Sequence, residues 1–352
     1  MKRKGTWIVV SVLVVLGLLL GGFGCAAPAP APTPAPTPTP TPVKPIVLKV
    51  TGYGGPTYPL RILQEEANQL IEERSNGRLK IEFFPEQSLV KMRDVFEAAP
   101  TGVVDIFMTC PLYAPDLFGI IADVENMVFN WDMELFQEHY RDPGSFYDFQ
   151  QPYWEKNGLY LLSWPLVGGY EVGSTTPIHT LEDWKGKLVR TVAGFSDLIK
   201  ALGAEPVFIA TGELYEAMQR GTVDACTVSM SSMRSLSIQE VAPYFTIAGL
   251  TQANIPFGMS LKARQELPSD LVKLIDEAFV DAERNHNARL NDLIKTDINF
   301  MATYPGVQEV YYLPADEKAR WSELASVIYD NLAKKYGEEW ERFWPIRNSL
   351  YK

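Results

Sequence analysis

The stretch Trp184-Lys185-Gly186-Lys187-Leu188-Val189-Arg190, followed from Ala201 by ALGAEPVFIATGELYEAMQRGTVD to Asp224, decides the fold. It sets an arginine at the end of a predicted strand and then runs helix, strand, helix. Its last part, Glu216-Ala217 through Gly221 to Val223-Asp224, reads E-A-x-x-x-G-x-V-D. The same pattern occurs earlier, from Glu97-Ala98 through Gly102 to Val104-Asp105. In both, a short amphipathic helix stops at a glycine and an apolar run starts after an aspartate. The pattern by itself is compatible with generic helix–turn–strand chemistry. Used twice in one chain, it predicts two α/β lobes, each directing strand ends at a shared crevice, where ligands of open α/β sheets sit.

Outward from these units the periodicity stays α/β. A strand Val47 to Thr51 enters the loop Gly52-Tyr53-Gly54-Gly55, and a helix Pro59 to Arg74 follows with Leu60, Leu63, Ala67, Leu70 and Ile71 on one face. Asn76-Gly77 ends it before a strand Leu79 to Phe84, a β-α-β opening that implies a parallel sheet. Next come a helix Lys91 to Ala99 and a strand Val104 to Thr109. A second series holds an apolar segment from Tyr160 to Leu166, a strand around Gly169 to Gly173, strand Leu188 to Thr191, helix Phe195 to Leu202, strand Pro206 to Ile209 and helix Glu213 to Arg220. Ile247 to Ser260 reads as extended chain returning between lobes. Ser269 is positioned to cap a helix reaching Thr303, with Leu271, Leu274, Ile275, Ala278, Phe279, Ala282, Leu290, Leu293, Ile294, Ile298 and Met301 inward. At 1.5 Å per residue such a helix is about 50 Å long, more than one small lobe needs, so it can brace both. A last strand, Val307 to Leu313, and helices rich in Trp and Tyr close the chain.

The N-terminus has the composition of an export signal: Lys2, Arg3 and Lys4, an apolar run from Trp7 to Phe23, then Gly24 and Cys25. A cysteine at that point predicts a bacterial lipoprotein signal over residues 1–25, with Cys25 carrying the lipid, although Gly22 stands where such signals usually have Leu. An uncleaved anchor is the alternative. Residues 26–45 are almost entirely Ala, Pro and Thr. With no apolar face they cannot fold, and the prolines favour a polyproline II spacer of roughly 3 Å per residue. The folded body is therefore extracytoplasmic and tethered. The chain carries 43 acidic against 32 basic residues, a net charge of −11, and the body is more acidic still without Lys2, Arg3 and Lys4, which argues against nucleic-acid partners. Beyond Cys25 only Cys110 and Cys226 remain, either one disulfide or two buried thiols.

Taken together, Ser75-Asn76-Gly77-Arg78, Phe84-Pro85 with Gln87 and Leu89, Gly102 to Asp105, Thr180-Leu181-Glu182-Asp183-Trp184-Lys185-Gly186 leading to Arg190, Ala201-Leu202-Gly203-Ala204, and Glu213-Leu214-Tyr215 through Gly221 to Asp224 carry a resemblance in their order and spacing. Almost the whole body resembles the solute-binding subunits of tripartite ATP-independent periplasmic (TRAP) transporters, the dicarboxylate-binding DctP type. The resemblance implies a two-lobed periplasmic binding fold, type II-like, with a long helix spanning both lobes. It implies closure on an organic acid and delivery to the small and large permease subunits of a sodium-driven transporter. On this reading residues 46–167 form lobe I with a returning segment near 250–268, and 168–249 form lobe II with part of 269–352.

The residues alone leave Arg190 with two readings, a surface arginine paired with Asp183 or Glu182, or a carboxylate anchor. The family's central arginine falls on Arg190, and a guanidinium offers parallel N–H donors matched to carboxylate oxygens. The chain departs from acid-binding members at Tyr170, where many carry a second basic residue, and at Cys110-Pro111-Leu112-Tyr113, a region often charged in sialic-acid-binding members. Tyr53, Tyr58, Tyr113 and Tyr170 offer aromatic faces with hydroxyl tips, or else pack in core or rim. Thr211, Ser229 and Ser231 can add neutral hydrogen bonds; Arg93 either holds an anion or faces solvent. The expected solute is a monocarboxylate with an apolar or aromatic body. Ala225 to Ser229 contain no carboxylate, so neither a bridging metal nor a cofactor is expected. Two other roles fit less well: presenting the ligand to a sensor kinase, and an enzyme, for which His139, His179 and His286 have no metal-ligand spacing and no G-x-S-x-G or H-E-x-x-H pattern exists.

Overall fold

The computed structural model of the chain describes residues 44–125, 127, 131–191 and 195–351. The export signal, Cys25 and all but the end of the spacer lie outside the described residues. Among those described, no helix is long and apolar enough to cross a membrane. The strands are β1 (Ile46–Thr51), β2 (Leu79–Phe84), β3 (Ile106–Met108), β4 (Leu159–Ser163), β5 (Leu166–Ser174), β6 (Leu188–Thr191), β7 (Glu205–Phe208), β8 (Ala225–Ser229), β9 (Tyr244–Ile247), β10 (Gln252–Asn254), β11 (Phe257–Ser260) and β12 (Glu309–Tyr312).

They form two sheets. One is ordered β2-β1-β3-β11-β4, the other β12-β9-β5-β8-β6-β7, with β10 paired to the start of β5. Each sheet has three parallel strands at its heart, β2-β1-β3 and β7-β6-β8, next to an antiparallel strand, β11 or β5. The two E-A-x-x-x-G-x-V-D units occupy matching places. In the first, Asp105 accepts the Lys49 N–H of β1 on its side chain at 2.7 Å while its own N–H donates to the Lys49 carbonyl. In the second, Asp224 brackets Leu188 of β6 in the same way, with the side-chain bond at 2.8 Å. Gly102 and Gly221 precede them with φ of 84° and 67°, a left-handed step that glycine takes without a Cβ clash.

Two crossings join the sheets. Strand β5 pairs with β10 through Leu166 to Gly169 and then with β8 from Tyr170 onward. The chain returns through β10 to β11, the antiparallel member of the first sheet. At the first crossing Gly168 has φ 96°, and a Cβ there would stand 2.8 Å from Ile294 Cδ1. Beside it, Glu171 is buried and accepts the N–H groups of Ala248 and Gly249 at 2.6 and 2.8 Å, lacing one crossing to the other.

The long helix spans Ser269–Thr303, 35 residues. Pro268 occupies the N-cap position and Ser269 is the first helical residue, so the expected serine cap is absent. Its early turns, Leu271, Ile275, Ala278, Phe279 and Ala282, share a core with β1 and helix Pro59–Arg74. Its last turns, Ile298 and Met301, pack with Val228 and Phe245 of the second sheet and with Val223 just before β8. Glu283, His286 and Asp297 are also turned inward, which the apolar pattern does not reveal.

Several element expectations need adjustment. The helix predicted over Lys91 to Ala99 is a 3-10 turn, Met92–Asp94, followed by one α turn, Val95–Ala98, and the strand expected from Val104 to Thr109 spans Ile106–Met108. From Pro111 to Gly158, where no element is predicted, the chain forms helices Pro115–Phe118, Ile120–Glu125, Met133–His139 and Phe146–Glu155. Aromatic packing holds this region: Trp131 lies 4.8 Å from Phe146 and 5.1 Å from Phe136, with Phe343 of the last helix against both Trp131 and Phe146.

Candidate functional site

The parallel strands of both sheets deliver their C-terminal ends to one cavity of about 610 Å³. From the first sheet come Tyr53 and Tyr58 after β1, Gln87 after β2, and Cys110, Leu112 and Tyr113 after β3. From the second come Arg190 on β6, Phe208 to Glu213 at the end of β7, and Val228, Ser229 and Ser232 at the end of β8. The crossing strands add Val167, Tyr170, Ala253, Asn254 and Ile255.

Arg190 is 1% exposed. Strand alternation sends Val189 into the core with Val172 and Trp184 and Arg190 to the opposite face, toward the cavity. Its Nε donates to the Ile209 carbonyl and its Nη2 to Thr211 Oγ1, both at 2.9 Å. Nη1 is buried and has no hydrogen-bond partner among the described residues. The reading of Arg190 as a surface arginine therefore fails. Glu182 pairs instead with Arg320 at 2.7 Å, and Asp183 accepts the N–H groups of His179 and Thr180 in a capping box. A buried guanidinium fixed through Nε and Nη2, with the N–H groups of Nη1 left over, suits an anionic oxygen.

The four tyrosines line the same cavity. Tyr53 and Tyr58 meet edge to face at 5.4 Å, and Tyr170 stacks on Phe195 at 5.1 Å. Gly54 has φ 82°, and a Cβ there would meet the Tyr58 side chain at 2.6 Å, so the glycine loop is what admits that ring. Burial pushes all four hydroxyls above the usual tyrosine range, the Arg190 charge opposing the shift at Tyr53 and Tyr170. They remain neutral hydrogen-bonding groups. Cys110 and Cys226 are free and buried; burial raises both thiols, Cys226 to about 11. Neither is a reactive thiolate.

Thr211 and Ser229 also line the cavity. The Ser229 hydroxyl is shared with Ser232, whose N–H it caps at the start of helix Met230–Ser235. Ser231 is the exception. One residue along that helix it turns away, and its hydroxyl donates to Asp297 of the long helix, where Arg234 also pairs at 2.8 Å. Ser232 takes the lining position. Met230 and Met233 are core residues.

Sequence reasoning missed Gln87, Leu112, Phe208 and Asn254, and set Arg93 mainly in solvent. Arg93 does line the mouth with Lys91, but its side chain is largely exposed and touches Asp94 at 3.5 Å. Gln87 carried a signal, its place in a recognised motif. It adopts φ 60° after Glu86 at 52°, and its Oε1 accepts the Met92 N–H at 2.9 Å, fixing the turn that bears Met92 and Arg93. Consecutive left-handed non-glycine residues beside a cavity are a strained arrangement that the surrounding packing must sustain.

Behind the first-sheet wall lies Glu125, 1% exposed. One carboxyl oxygen accepts the Leu112 N–H at 2.8 Å, its backbone carbonyl accepts from Asn254 at 3.2 Å, and the Cys110 thiol lies against it. Burial pushes its carboxyl up to about 8, against the smaller lowering effects of Leu112 and Cys110. Glu125 therefore favours its protonated form behind that wall at neutral pH. Among the described residues no group of three or more His, Cys, Asp or Glu side chains is arranged to hold a metal ion.

Two α/β sheets, a shared long helix and a cavity fed by strand ends from both define the two-lobed periplasmic binding proteins. Within that class the chain belongs to the family described as bacterial extracellular solute-binding protein, family 7 (DctP), which matches residues 55–335. It is 24% identical over 304 residues to the C4-dicarboxylate-binding periplasmic protein DctP of Rhodobacter capsulatus, covering 84% of this chain and 89% of that one. Among solved structures it is similar to a TRAP periplasmic solute-binding protein from Desulfovibrio salexigens with bound orotic acid, at TM-score 0.79 and 20% identity, over 87% of this chain and 98% of the other. A TRAP periplasmic solute-binding protein from Chromohalobacter salexigens with bound D-glucuronate gives TM-score 0.79 at 19% identity, over 86% and 99%.

Proposed function

We propose that the chain captures an organic acid anion between its two sheets and delivers it to a TRAP-type membrane permease. The observation that carries this is the buried Nη1 of Arg190, without a hydrogen-bond partner among the described residues, on a guanidinium held in place by Ile209 and Thr211. An incoming carboxylate completes the guanidinium's hydrogen bonding and neutralises its charge in one step. Around the guanidinium the lining includes tyrosines, Val167, Val228, Leu112 and Ile255, with Lys91, Arg93 and Glu213 as its other charged members, and burial raises the carboxyl of Glu125 behind the wall. The apolar and aromatic share of that lining favours a monocarboxylate with an apolar or aromatic body over a small dicarboxylate, since Arg190 is the one buried cation of the lining and Arg93 is largely exposed. Orotic acid, bound by the Desulfovibrio salexigens protein, is likewise a flat ring with one carboxylate, its ring bearing polar amide groups.

Arg190→Ala leaves the acid unpaired, at a cost of about 2–5 kcal/mol, so binding should weaken from roughly 30-fold to several thousand-fold. Titration calorimetry across aromatic, branched-chain and dicarboxylic acids tests both parts. Parent-like binding by the variant removes the site assignment, and tighter binding of succinate than of every monocarboxylate removes the substrate class. The lipid anchor rests on the signal ending at Cys25: labelled palmitate should enter the parent chain and be absent from Cys25→Ser.

A further inference from the structure

Phe208 ends β7 at the outer edge of the second sheet and is 64% exposed, more than any other large apolar side chain among the described residues. No core explains it: its neighbour Val207 packs inward with Leu214 and Met218, while Phe208 lines the cavity from the rim. From the first sheet Tyr113, 36% exposed, lines the same cavity. A single exposed apolar ring is ordinary on a protein surface, but one that lines a cavity is placed to be covered by what binds there.

The neighbouring backbone says what that is. Ile209, the next residue, gives its carbonyl to Arg190 Nε, and Thr211 gives its hydroxyl to Nη2. One short segment therefore fixes the guanidinium and carries the exposed ring. An acid anchored on Arg190 has its substituent in the cavity lined by that segment and by the first-sheet wall, Phe208 and Tyr113 included.

We propose that Phe208 is a specificity-determining residue, an apolar cap that grades acids by the size of the body attached to the carboxylate. This rests on the reading of Arg190 as the carboxylate anchor. Large-bodied acids gain the burial of the ring; short ones do not reach it. The cap acts after capture, so its contribution appears in the dissociation rate rather than in the encounter.

The test is calorimetry and stopped-flow dissociation of phenylacetate, indole-3-acetate, 4-methylpentanoate and acetate with the parent, Phe208→Ala, Phe208→Leu and Arg190→Ala. For the tightest large-bodied acid, Phe208→Ala should bind about 10- to 100-fold more weakly, through faster release, with most of the loss restored in Phe208→Leu. Acetate should change by less than about threefold, since it buries almost none of the ring. If Phe208→Ala keeps parent affinity for that acid while Arg190→Ala loses it, the cap is wrong and the anchor stands. An equal loss for acetate also overturns the cap. If Arg190→Ala binds like the parent, or the parent binds none of these acids, anchor and cap fall together.

Discussion

Thr211 shows how much of a binding residue's behaviour is set by its neighbour. Its hydroxyl accepts from Arg190 Nη2 in a part-buried setting, and a bond to a charged donor is worth about 1.5–3 kcal/mol. Thr211→Val keeps the shape and removes the acceptor, so acid affinity should fall roughly tenfold or more without a change in melting temperature beyond a few degrees, as calorimetry and thermal unfolding would report. Glu125 makes a separate prediction about pH. Its carboxyl titrates at about 8 in the folded chain, against an ordinary value of 4.5. Between those values the folded state keeps the proton and the unfolded state has released it. The contribution to stability is therefore fully present below the lower value and falls by about 1.4 kcal/mol per pH unit until the upper one is passed. Glu125→Gln should flatten that part of the profile in denaturant titrations from pH 5 to 8.5; an unchanged slope would mean the carboxyl is not held protonated. At this scale the sequence exposes what strand and motif position determine, which is Arg190, Thr211 and the tyrosines that line the cavity. It does not expose Ser232 against Ser231, because the choice depends on the rotation of helix Met230–Ser235 against the long helix. Phe208 and Asn254 reach the cavity only through sheet pairing, and no spacing along the chain announces them.

Among elements, the repeated helix–glycine–strand unit is legible because its chemistry is local: a left-handed glycine, then an aspartate that ties the new strand to its parallel neighbour. Helix Pro59–Arg74 and strands β2 and β6 match their predicted limits for the same reason, since periodicity and terminators agree. The region from Pro111 to Gly158 is different. Its helices are short, and they are held by rings from distant segments such as Phe343 rather than by their own propensity. The crossing strand β5 was readable as a strand but not as a bridge between sheets. Gly168→Ala places a methyl group against Ile294 at a left-handed backbone position, and should destabilise the fold by about 1–3 kcal/mol in urea titrations. A neutral result would show that the long helix can yield there.

At the scale of the whole molecule, the long helix is held by a buried ion pair as well as by apolar packing. Glu283 receives hydrogen bonds from Tyr140 and from Arg141, whose Nη2 also reaches the Leu162 carbonyl. Arg141→Met leaves that carboxylate buried without its cation and should cost about 3–5 kcal/mol, visible as a lower denaturation midpoint. The same helix contributes side chains to a core under each sheet. Fraying it at one end strips apolar cover from one sheet, and its continuous hydrogen-bond ladder passes the loss to the other. Heating the protein without solute should accordingly give a single calorimetric peak, with the two halves melting as one unit. The shared spine that braces both halves also denies either of them an independent thermal life.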